Sequence, residues 1–97
     1  MPQHKPLRIA LLWSQFAAYH IDRCTAVARR LEGRAEVLAV EVATASETYA
    51  WEASGEVAGA RKITLFPGWT YESIPVFSRL IAQFRQLRRC DMVFVGI

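Results

Sequence analysis

Apolar residues along this chain fall into two kinds of pattern, continuous runs and helically spaced stripes, and the two alternate. Leu7 to Trp13 (LRIALLW) and Ala35 to Val42 (AEVLAVEV) are nearly continuous runs, as expected of strands buried on both faces of a parallel sheet. Between them Ile21, Cys24, Val27, Ala28 and Leu31 recur at helical spacing, while Asp22, Arg23, Arg29 and Arg30 lie off that face. This predicts a helix over His20 to Glu32, stopped by Gly33. Ala60 to Phe66 (ARKITLF) reads as a third strand closed by the turn signal Pro67–Gly68. Phe77, Leu80, Ile81, Phe84 and Leu87 form a second stripe, predicting a helix over Ser73 to Arg89. Pro75 falls in its first turn, where a missing N–H costs little. Asp91 to Ile97 (DMVFVGI) reads as a fourth strand.

The order β-α-β-β-α-β predicts an α/β fold: half of a Rossmann-like open parallel sheet, strand order 3-2-1-4, with helices on both faces. Such a sheet reverses direction between its first and fourth strands, and ligands bind at the carboxyl ends of the strands there. In this sequence those ends are Trp13–Ser14 and Gly96–Ile97. No helix follows to cover the fourth strand. Residues 1–97 are therefore expected to be part of an N-terminal domain, with the rest of its sheet and a second domain absent. The competing expectation is a half-domain that dimerises through the uncovered strand.

Composition narrows the class. Hydrophobic residues make up 53% and charged residues 22%, which fits a globular chain. Lys and Arg number 12 against nine Asp and Glu, but the arginines are spread along the chain, so no nucleic-acid partner is expected. Cys24 and Cys90 are far apart and read as free thiols of a reducing compartment. No apolar run is long enough for a signal peptide or a membrane span. The expected location is cytoplasmic, with peripheral membrane contact through Arg79, Arg85, Arg88 and Arg89 weighed against an ordinary solvated basic helix.

Several chemistries lack their residues. The loop after the first strand, SQFAAYH, has no glycine and so no dinucleotide fingerprint. There is no phosphate loop, no His/Cys set with zinc spacing, and no nucleophile elbow around Ser14. Asp22 and Asp91 are the only aspartates, which argues against a receiver-like module. A flavodoxin- or receiver-like interaction module without catalysis stays as the alternative function.

The segment Leu11 to Leu31 (LLWSQFAAYHIDRCTAVARRL) resembles the opening of glycosyltransferases with the two-domain GT-B architecture. Tyr49-Ala-Trp-Glu52, Ile63-Thr-Leu-Phe-Pro-Gly68 and Asp91-Met-Val-Phe-Val look like segments of bacterial members of the retaining family numbered four. The resemblance spans nearly the whole chain and rests on the order and spacing of its parts. It implies an acceptor-side domain of an enzyme that moves a sugar from a nucleotide-sugar to a cell-envelope glycan, lipid or metabolite. It also implies that the missing second domain holds the donor, that no metal is needed, and that the chain alone is inactive. Where many members carry a Gly-Gly pair after the first strand, this chain has Ala17–Ala18, whose Cβ atoms hinder close backbone approach to a phosphate.

The candidate site residues follow from this placement. His20, at a helix N-terminus, stands at a spacing resembling that of the general base of plant-type inverting relatives. A helix N-terminus favours the neutral, proton-accepting imidazole; the plainer reading is a His that orders the loop. Gln15, Phe16 and Tyr19 belong to the strand-end loop and are read as acceptor contacts or as loop packing. Trp51 and Glu52 pair a ring for a sugar's C–H face with a carboxylate for its hydroxyls, or else Trp51 caps the core. Trp69 and Tyr71 invite the same two readings.

Overall fold

The computed structural model describes residues 7–45 and 56–96. In it the runs and stripes become β1 (Leu7–Trp13), α1 (Ala18–Arg30), β2 (Ala35–Ala45), β3 (Arg61–Thr70), a 3-10 turn (Tyr71–Ser73), α2 (Val76–Leu87) and β4 (Met92–Val95). Among the described residues the four strands make one all-parallel sheet in the order β3-β2-β1-β4. The expected α/β half-sheet and its strand order are what forms. The direction reverses between β1 and β4, where Ile9 to Leu12 align with Met92 to Val95.

Strand alternation sends side chains to two cores. On one face Ala10, Leu12, Leu38, Val40 and Val42 pack with Ile74. On the other, Leu11, Val37 and Ala39 pack with Phe16 and with Cys24 and Ala28 of α1. Each fully buried large aliphatic side chain contributes about 1.5–3 kcal/mol relative to exposure. The central pair β1–β2 therefore carries most of this stabilisation, while every residue of the edge strand β4 is exposed.

Several boundaries differ from the sequence reading, and three of them have a local cause. Pro67–Gly68 does not end β3. Pairing passes from Ala43↔Phe66 to Ala45↔Thr70, leaving Pro67, Gly68 and Trp69 as a bulge opposite Thr44. Gly68 adopts φ +82, open to glycine at little cost, and its N–H donates to Thr44 Oγ1 at 2.9 Å. α1 begins two residues early, at Ala18, because His20 satisfies an N-terminal donor, as described below. α2 begins late, at Val76. Proline disfavours helical backbone in the residue before it, so Ile74 stays extended and Pro75 becomes the N-cap.

The orientation of α2 is the largest departure. Its stripe was expected to cover the sheet, yet no residue of α2 is buried, and Phe77 and Phe84 are 81% and 69% exposed. Ile74 and Tyr71 pack with the core that holds Leu12 and Val40. α2 meets that core only at its C-terminal end, through Leu87. The half-buried side of the helix holds Arg79, whose guanidinium lies 4.6 Å from the centroid of the Tyr71 ring.

Candidate binding site at the carboxyl edge of the sheet

The carboxyl ends of β1 and β4 meet closely. Gly96 donates its N–H to the carbonyl of Leu12 at 2.8 Å, and a Cβ on Gly96 would overlap the Trp13 indole. Glycine is therefore required where the fourth strand passes the tryptophan, by close approach and not by backbone conformation. The Trp13 ring forms one wall of this edge and the loop 14–17 continues it.

That loop is fastened from below. Glu41, 1% exposed in the middle of β2, accepts from the Phe16 N–H through Oε2 and from the Thr64 hydroxyl through Oε1, each at 2.9 Å. Its Oε1 lies 3.5 Å from Lys62 Nζ, so the buried carboxylate has both charge and hydrogen-bond compensation. Gln15 donates to the Thr44 carbonyl at 2.9 Å, and Ala43 N–H donates to the Ser14 carbonyl at 3.0 Å. β2 therefore grips the loop at three points. Glu41 was missed by sequence reasoning; its signal was an acid inside the apolar stretch from Val37 to Ala43.

His20 is 3% exposed in the first turn of α1, and its Nδ1 accepts from the Ala17 N–H at 2.8 Å. This serves a helix-end donor that Ala17, with no side-chain acceptor, cannot satisfy by itself. The ring packs against Trp13 and Tyr19, at centroid distances of 4.9 and 4.0 Å. Burial, and then the Arg23 cation, lower the His20 pKa. The ring is therefore neutral near pH 7, and with Nδ1 accepting, its proton sits on Nε2. Proton abstraction by His20 would cost the Ala17 hydrogen bond, whether Nδ1 took the proton or the ring changed tautomer to free Nε2.

The sequence-derived candidates thus separate by position. Tyr19 and His20 come together beside Trp13, a ring that was not among the candidates, with Tyr19 half exposed and Arg23 over its ring at 5.6 Å. Gln15 and Phe16 are turned inward, at 1% and 0% exposed. Trp69 is half exposed on the β3 bulge, and Tyr71 lies beneath Arg79. Trp51 and Glu52 fall outside the described residues.

Both cysteines are free, as read from their spacing. Burial pushes the Cys24 thiol up to about 11, and burial also raises that of Cys90. Among the described residues no group of three or more His, Cys, Asp or Glu could hold a metal, and no helix is long and apolar enough to cross a membrane.

At the opposite, amino edge, arginines scattered in sequence converge. Arg8, Arg61, Arg85, Arg88 and Arg89 surround a hollow of about 280 Å³ that also includes Glu36. Comparison with family models, with curated proteins and with solved structures finds no match.

Proposed function

We propose that these residues are the acceptor-side part of a two-domain glycosyltransferase that takes its sugar from a nucleotide-sugar held by another domain. The observation that carries this reading is the reversal of the parallel sheet at β1 and β4, topped by an aromatic edge on a fastened loop. Open α/β sheets bind small ligands at such a point. Trp13 is half-buried and Tyr19 exposed, and aromatic rings at such an edge suit the C–H faces of a sugar. Gln15, Phe16 and His20 act as positioning residues that hold those rings. The order of motifs in the sequence supplies the transferase part of the proposal, with neither metal nor resident cofactor.

Titration of ¹⁵N-labelled chain with glycosides and with nucleotide-sugars tests it. Glycosides at millimolar concentration should shift the Trp13 indole N–H and the amides of Tyr19 and Gly96. Nucleotide-sugars should not shift them, and the isolated chain should transfer no sugar. Silence of these signals toward every glycoside, or turnover by the isolated chain, would overturn the assignment.

A further inference from the structure

We infer that the outward face of α2, with the arginines at its C-terminal end, docks on an anionic lipid bilayer. Phe77, Leu80, Ile81 and Phe84 make one stripe and are each more than half exposed. Successive positions on that face recur every three or four residues, so Arg88 continues the stripe by one turn and Arg85 flanks it. An apolar strip ending in cations is the arrangement that lies in the headgroup boundary, with rings among the acyl chains and guanidinium groups at phosphate level.

Charge decides the occupant. From Val76 to Arg89 there is no Asp or Glu. The carboxylates nearest the cluster are engaged: Glu36 pairs with Arg8 at 3.1 Å, and Asp91 accepts from the Arg8 N–H at 2.7 Å. A second copy laid helix against helix would offer these cations no counter-charge, whereas anionic headgroups supply it. Arg61 lines the same hollow as Arg85, Arg88 and Arg89, so the positive field extends beyond the helix. Each cation near an anionic surface contributes about 1 kcal/mol. This inference is independent of the sugar-transfer reading, and its test uses no sugar.

The test is sedimentation of the full 97-residue chain with vesicles of phosphatidylcholine alone or containing 30 mol% phosphatidylglycerol (about the anionic fraction at which such binding is strong). The chain should pellet with the anionic vesicles, stay in solution with the neutral ones, and be released by salt. R85E/R88E should weaken binding by at least about 30-fold, and F77S/F84S by about 10-fold or more. R29E/R30E, the same charge change on α1, should weaken it less than about threefold. Circular dichroism checks that each variant is folded. Failure of the folded wild type to bind, equal binding to both vesicle types, or equal loss in R29E/R30E and R85E/R88E overturns the inference. So does a dimer that F77S/F84S dissolves while vesicles go unbound.

Discussion

The two helices carry the same kind of apolar stripe and use it in opposite ways. α1 turns Cys24 and Ala28 onto the sheet and leaves Asp22, Arg23, Arg29 and Arg30 outside. α2 turns Phe77 and Phe84 outward and lays Arg79 against Tyr71. Spacing records that a helix has an apolar side. It does not record what that side meets, because the answer depends on what already occupies the sheet. On one face Cys24 and Ala28 share the sheet core with Phe16 and Val57; on the other the core is completed by Ile74 and Tyr71, with Leu87 from the end of α2.

The strongest way to break the well-packed side is at Glu41. Glu41→Ala leaves Lys62, the Thr64 hydroxyl and the Phe16 N–H without their shared acceptor in the interior. A loss of about 3–5 kcal/mol is expected, read from urea denaturation. The double variant E41Q/K62M removes both charges while keeping an acceptor for Phe16. It should recover more than about half of that loss. Equal losses in the single and double variants would show that a neutral acceptor does not replace the carboxylate and that its charge is needed to hold the loop.

A matched pair of phenylalanines measures the contrast directly. Phe16→Ala opens a cavity beside α1 and should cost about 3–5 kcal/mol. Phe84→Ala removes an outward ring and should cost less than about 0.5 kcal/mol in dilute, lipid-free solution. Comparable losses at both sites in urea melts would mean that the α2 stripe is covered in solution and that the two helices do not differ.

The sequence made the sheet legible and the site only partly so. Strand order follows from element order and the rules of parallel connection, and neither needs side-chain detail. The bulge at Gly68 was not legible: a Pro–Gly turn signal is also what a bulge requires, and only the Thr44 hydroxyl opposite decides between them. Glu41 stayed hidden because its partners are far away in sequence, and so did the convergence of Arg8 and Arg61 with the arginines at the end of α2. His20 was picked out, yet its hydrogen bond to Ala17 depends on the helix starting at Ala18 and not at His20 itself.

At the carboxyl edge, Gly96→Ala sharpens the comparison between β1 and its exposed neighbour β4. The added methyl meets the Trp13 indole, so either the ring turns or the last pairing of β4 opens. A cost of about 1–3 kcal/mol is expected, with a change in the fluorescence of Trp13 as the local reporter. An unchanged melt and spectrum would mean that β4 has slack at its end, despite the hydrogen bond to Leu12.

The smallest effect concerns how pH acts on the α1 side alone. The His20 pKa lies below the ordinary 6.5, through burial first and the Arg23 cation second. Above that value the ring is neutral in both folded and unfolded chains and adds no pH dependence. As pH falls below it the unfolded chain takes up the proton first, so stability is lost until the folded chain is protonated too. Protonation also places a hydrogen on Nδ1, where the Ala17 N–H now donates, so the first turn of α1 loses its internal acceptor. His20→Asn removes this titration, and the wild type minus variant difference in urea midpoint should shrink from pH 7 to pH 5. α2 contains no ionisable group that titrates in that range, so its helicity should stay constant over the same interval. A difference that is flat or grows toward acid would mean that His20 does not stand neutral at the head of α1.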